Sequence, residues 1–143
     1  LAEGVRRIVI ILDSSALYAL LRAEDSRSQD VFDVLRHESC RVVSPYVVAE
    51  IDYLFLTRYG VREELLVLDE LASGNFELPS LGPSDVLACA AVLSRFHDHA
   101  IGIADASLVV LADRYRTNRI CTLDRRHFSF LRTMDGTPFE LLP

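Results

Sequence analysis

The sequence predicts an α/β fold of three layers, with helices on both faces of a mostly parallel central sheet of four to five strands. Three observations predict it. Ile8 to Leu12 is an unbroken apolar run, mostly β-branched, that ends on Asp13. A strand apolar on both faces is buried on both faces, as in parallel sheets covered by helices. Strand-like and helix-like stretches then alternate, with two helices in a row between some strands, which is the order that builds such sheets. Acids recur where this order returns the chain to the carboxyl edge of the sheet, the edge at which open α/β sheets bind ligands.

Taken in order, the first strand runs into a short helix, Ser14 to Arg22, which Ser14 or Ser15 would start. Ser26-x-x-Gln29 has the spacing of a capping box, and Val31, Val34 and Leu35 follow at helical intervals. Arg41 to Ser44 is the second strand. Pro45 suits a first helical turn, and its helix covers about Tyr46 to Tyr59, with Gly60 as the stop. A further helix runs from Val61 to Ala72, and Gly74 breaks it. Phe76 to Leu78 reads as a short third strand. Gly82-Pro83-Ser84 opens a helix to about Phe96, and Ala104 to Tyr115 is another. Arg119 to Thr122 is the fourth strand, and Phe139 to Leu141 fits an edge strand. Crossovers between parallel strands are expected to be right-handed.

The 143 residues suit one domain, 1–143, and half of them are hydrophobic, enough for a core. The longest apolar run, Val86 to Leu93, falls far short of a membrane span, and no secretory signal pattern is visible. Cys40, Cys89 and Cys121 form no CxxC pair and read as reduced core residues of a cytoplasmic protein. A net charge of −6 argues against binding nucleic acid by bulk charge, though not against meeting it through metal ions and a local basic rim. All fifteen basic residues are Arg. Without Lys, P-loop ATPases and Schiff-base chemistry are excluded.

Four acids carry the chemistry. Asp13 ends the first strand. Glu50 stands beside Val47, Ile51 and Leu54 on its helix, where a carboxylate is expensive unless paired, for instance with Arg58, or metal-bound. Asp105 shares a helix face with Leu108, Val109 and Ala112 and opens the helix that feeds the fourth strand, so it starts at the carboxyl edge. Asp124 follows the fourth strand and would face Asp13 if strands one and four are neighbours. Each acid also has a plainer role open to it as a helix cap, a turn residue or a surface ion pair. Together, four carboxylates within a few ångströms would raise one another's pKa. A hard divalent cation held by oxygen ligands, Mg²⁺ or Mn²⁺, would relieve that repulsion, activate water and offset charge at a reacting phosphate.

The segments Ile-Leu-Asp13-Ser-Ser-Ala-Leu, Ser-Pro-Tyr-Val-Val-Ala-Glu50, Gly-Ile-Ala-Asp105-Ala-Ser-Leu and Thr-Leu-Asp124-Arg-Arg-His-Phe, in this order, resemble the PIN-domain nucleases. They are most similar to the VapC-type toxins of bacterial toxin–antitoxin pairs. The resemblance implies a Mg²⁺- or Mn²⁺-dependent endoribonuclease that cuts structured RNA, tRNA or a ribosomal RNA loop. It also implies a homodimer and neutralisation by a VapB-type antitoxin. Carried over residue by residue, Asp13, Glu50, Asp105 and Asp124 form the acidic quartet. Ser14 and Thr122 fall where the family often has a small hydroxyl near metal or phosphate. Many relatives carry an acid where His127 stands, so a fifth acidic ligand is not expected.

Arg114, Arg116, Arg119, Arg125, Arg126 and Arg132 surround the last motif, as phosphate guides or as a solvated surface paired with Asp113 and Asp135. His37, His97, His99 and His127 have no metal-ligand spacing and read as surface or core-edge residues. Leu54, Phe55, Leu65, Leu66 and Leu68 read as core first, and as a dimer face or antitoxin groove second. Alternatives to the toxin are a PIN nuclease of RNA processing and an inactive PIN scaffold. A receiver-type domain lacks its Lys, and a DxD phosphatase would need an acid at Ser15.

Overall fold

The computed structural model describes residues 8–143. Its centre is β1 (Val9–Leu12), whose four residues are all buried. β2 (Cys40–Val42) pairs with one side of β1 and β3 (Arg119–Cys121) with the other, and β4 (Glu140–Leu142) flanks β3. All three pairings are parallel, in the order β2-β1-β3-β4. The apolar run from Ile8 is thus the interior strand its composition predicts.

Helices α1 (Ser14–Leu20) and α2 (Ser28–Leu35) connect β1 to β2. Four helices connect β2 to β3: α3 (Pro45–Tyr59), α4 (Val61–Leu71), α5 (Pro83–Arg95) and α6 (Ile103–Tyr115), with one 3-10 turn at His97–His99. The short α7 (Arg125–Phe128) leads from β3 towards β4. From Ala106 to Ala112 every residue of α6 is buried, as for a helix apolar all round. It packs on α5, α3 and β1.

Three local expectations need correcting. Phe76 to Leu78 is not a strand. It contributes one parallel bridge, Val42 to Glu77, in which Glu77 N–H donates to Arg41 O at 2.8 Å and Val43 N–H donates to Glu77 O at 3.0 Å. The next donor in register would be residue 79, a proline, so the ladder stops there. Ser26 does not cap α2: the Asp25 carboxylate accepts from Arg27 N–H at 2.7 Å, Arg27 takes the cap position, and Gln29 donates to Asp33 instead of reaching back. On α4, Leu65 and Leu66 are exposed, not core.

Two polar contacts lock the helices and strands. Ser44 accepts from Tyr46 N–H at the start of α3 and shares a hydrogen bond of 2.7 Å with Ser107 of α6. Both serines are fully buried. At the amino ends of the strands, buried Glu38 pairs with Arg119 at 2.5 Å. Cys40, Cys89 and Cys121 are buried and form no disulfide, and burial pushes the Cys121 thiol up to about 12. Such thiols are inert, in line with the core reading. Among the described residues, no helix is long and apolar enough to cross a membrane.

Candidate active site

After β1 the chain turns towards β2, and after β3 it turns the other way, towards β4. The gap between β1 and β3 is therefore the switch point of the sheet, where side chains from two loops meet. Asp13 leaves the end of β1 and its N–H donates to Cys121 O on β3 at 3.0 Å.

Asp13 is 4% exposed. Its Oδ1 accepts from Ala16 N–H at 2.9 Å, capping α1, and from Ser15 Oγ at 2.7 Å. Its Oδ2 accepts from Thr122 Oγ1 at 2.5 Å. Burial pushes this carboxyl up to about 6, against the pull of all three donors, and the negative charge of Asp105 adds to the rise. Mutual repulsion, expected as the main cause, is the smallest contributor; loss of water dominates.

From Asp13 a continuous network reaches Asp124 and Asp105. Thr122 Oγ1 accepts from Asp124 N–H at 2.9 Å. Asp124 Oδ1 accepts from His127 N–H at 3.2 Å and so starts α7. The His127 ring bonds through Nε2 to Asp105 Oδ2, in the first turn of α6. On the opposite side, Ser14 Oγ donates to Glu50 Oε1 of α3.

Three of the four predicted acids, Asp13, Asp124 and Asp105, thus stand in one network, and Glu50 is held separately by Ser14. Asp13 is buried, Asp105 half-buried, Glu50 and Asp124 exposed. Glu50 is not paired with Arg58, which donates to the Tyr18 hydroxyl at 3.1 Å. Ser14 and Thr122 both hold carboxylates. Two participants escape the sequence reading. Ser15 bonds Asp13 and accepts from Leu123 N–H at 2.9 Å, joining the β1 and β3 loops; its signal was its place two residues after an acid at a strand end. His127 is a partner of Asp105 rather than a bystander; its signal was its place in the Asp124 motif.

The arginines around the last motif mostly serve the fold. Arg114 pairs with Asp85 at 2.9 Å, Arg119 with Glu38, Arg125 donates to Leu141 O at 3.3 Å, and Arg132 donates to Ser129 O at 3.0 Å. None pairs with Asp113 or Asp135.

Among the described residues, no three His, Cys, Asp or Glu side chains stand close enough together to hold a metal ion as placed. The donor set still suits a hard cation, because the quartet offers only carboxylate oxygens and no thiolate. Each of those carboxylates is held by a hydroxyl, a backbone N–H or an imidazole.

The sequence model described as PIN domain matches residues 10–133. The chain belongs to the PIN domain family. This PIN domain is 49% identical over 135 residues to ribonuclease VapC26 of Mycobacterium tuberculosis, an alignment covering 94% of this chain and all of that one. Among solved structures, it is similar to VapC20 of the same organism, described as a sarcin-ricin-loop-cleaving toxin. There the TM-score is 0.73 at 18% identity, over 82% of this chain and 92% of that one. It is also similar to VapBC2 of Rickettsia felis, solved on a DNA fragment from its promoter. That match has a TM-score of 0.70 at 14% identity, over 95% of this chain and all of the other. At such identities the two structures speak for the fold alone.

Proposed function

We propose that this PIN domain, one domain across 1–143, is a metal-dependent endoribonuclease of the cytoplasm and the toxin of a VapBC-type pair. Its substrate class is structured RNA, tRNA or rRNA, and its partners are a VapB-type antitoxin and a second copy of itself. The observation that carries the reading is the carboxylate network at the β1–β3 switch point, in which Asp13 and Asp105 lie within electrostatic reach of each other. The 49% identity to a protein named as a ribonuclease supports the activity. Solved VapBC complexes with the same fold support the antitoxin. Exposed Leu65, Leu66 and Leu87 provide apolar surface for protein partners.

Asp13, Glu50, Asp105 and Asp124 would hold Mg²⁺ or Mn²⁺, which supplies Lewis acidity and an activated water for phosphodiester hydrolysis. The chain's own residues prepare that site. Ser15 and Thr122 fix the Asp13 carboxylate from both oxygens, so it is oriented before any ion or substrate arrives. His127 orients Asp105, and Ser14 holds Glu50. Asp13 is almost wholly out of water, with its backbone bonded to the end of β3.

The test is purified protein on total RNA with Mg²⁺, Mn²⁺ or EDTA, beside Asp13→Asn and Asp105→Asn. Cleavage that needs the metal and drops at least about 100-fold in both variants is expected, because removing a charged group that acts at the reacting centre costs on the order of 3 kcal/mol. Undiminished cleavage by either variant would refute the assignment.

A further inference from the structure

A cleft of about 530 Å³ opens on the α1 side of the acids. It is lined by Ser14 and Ser15, which hold Glu50 and Asp13, and by Leu123, which donates to Ser15. Three arginines, Arg22, Arg27 and Arg58, also line it, against one lining carboxylate, Asp25. On a chain with net charge −6, this is a local reversal of sign beside an acidic site.

The arginines are set in place by an aromatic ring. The Arg22 guanidinium lies 4.7 Å from the Tyr18 ring centroid and that of Arg58 lies 5.3 Å from it, so both stack on a side chain that is itself buried. Arg22 pairs with Asp25 at 3.2 Å and, through Nε, with Glu24 at 3.4 Å. Arg27 pairs with Asp30 at 3.1 Å. Arg58 is exposed, and among the described residues its guanidinium meets no carboxylate; it donates to Tyr18 alone. Two guanidinium groups fixed on one ring, one of them free of acids, match a phosphate better than they match each other.

We propose that this cleft seats a backbone phosphate of the RNA beside the bond being cut, held by Arg58 and Arg22 over Tyr18. The inference rests on the ribonuclease reading for its ligand, and the cleft's position fixes which way the strand leaves the acids: across Ser14 and Ser15, along α1. Arg58 and Arg22 are thus positioning residues, reading the phosphate backbone and not the base. That contrasts with Arg114, Arg119, Arg125 and Arg132, which the fold occupies.

The experiment uses an eight-nucleotide unstructured RNA and an RNA hairpin as probes, bound to full-length protein carrying Asp13→Asn so that no turnover interferes. Salt is varied at each step. Adding Arg58→Met should weaken both probes about tenfold and flatten the slope of log affinity on log salt by about 0.7, one phosphate contact on single strands. Arg22→Met should act in the same direction. Arg58→Lys should restore the slope, and Arg36→Ala, the same charge change just after α2 at the amino edge of the sheet, should leave both readouts unmoved. Circular dichroism confirms that each variant is folded. Unchanged affinity and slope in Arg58→Met and Arg22→Met would overturn the proposal. So would unchanged RNA binding combined with lost neutralisation by a VapB-type antitoxin, which would make the cleft a protein site. In the Asp13-intact background, cleavage with unchanged KM in Arg58→Met removes the cleft and leaves the nuclease standing. Altered binding with no cleavage by any form removes the nuclease and leaves the cleft.

Discussion

Asp13 concentrates the physics of the site in one side chain. Its carboxyl holds a proton up to about pH 6 in the folded protein, whereas in the unfolded chain it loses that proton near the ordinary value of 3.8. Native protein therefore binds the extra proton between those values. The stabilisation it confers is complete below the ordinary value and is lost as pH rises through 6. At neutral pH the metal-free protein carries this buried charge at a cost of about 3 kcal/mol, roughly two pKa units at 1.4 kcal/mol each. Asp13→Asn should then raise the melting temperature in EDTA at pH 7.5 and lose that advantage below pH 4, while abolishing cleavage. A melting curve that falls at both pH values would contradict this. His127 gives a second prediction. Replacing it with Ala leaves Asp105 without its ring partner, and loss of such an orienting contact typically lowers metal affinity or activity 10–100-fold. Mn²⁺ titration should show a weaker site in His127→Ala, with kcat reduced and KM for RNA little changed. The acids were legible because carboxylates after strands and on apolar helix faces are rare enough to stand out. Ser15 and His127 were not, because a hydroxyl or imidazole reveals its partner only after the loops of β1 and β3 are side by side.

The two helices that deliver Glu50 and Asp105 are bolted together by one pair of small hydroxyls. Tyr46 N–H donates to Ser44, Ser44 bonds Ser107, and Ser107 Oγ donates back to Ala104 O at 2.6 Å, so every polar atom in the chain of contacts is used. Ser44→Ala removes the α3 cap and leaves buried groups unpaired, which should cost about 1–3 kcal/mol. Urea unfolding measures that loss directly. Because the bolt lies at the starts of the acid-bearing helices, cleavage should fall further than stability alone explains. A variant with normal activity per folded molecule would show that the helices hold their places without it. Element types were readable from periodicity, and the helix from Pro45 to Tyr59 begins and stops where Pro45 and Gly60 indicate. The miss at Phe76 to Leu78 has a clear cause. Three apolar-flanked residues look like a strand, but strand status depends on successive donors, and Pro79 supplies none.

Across the whole molecule, a four-stranded parallel sheet separates two chemistries. The carboxyl ends hold the acids, and the amino ends hold the ion pair that joins Glu38 to β3. Strand order was only half legible. The buried strand declared itself interior, and the carboxyl edge followed from the helix that precedes β3, but nothing local says that β1 takes β2 on one side and β3 on the other. Mn²⁺ at about 100 times its dissociation constant should stabilise the folded molecule by about 2.7 kcal/mol, and Asp13→Asn combined with Asp105→Asn should erase that gain. Differential scanning calorimetry of both forms, with and without metal, reads the difference.

The Glu38–Arg119 pair has a practical consequence for genetics. Its carboxylate is almost wholly out of water, and stripping one partner from such a pair typically removes about 3–5 kcal/mol. Any selection for cells that survive expression of this chain will therefore harvest lesions at Glu38 and Arg119 alongside those at the acids. The two groups of survivors part company on a gel: the first yields aggregated or degraded chain, the second yields soluble protein that has merely lost its bite.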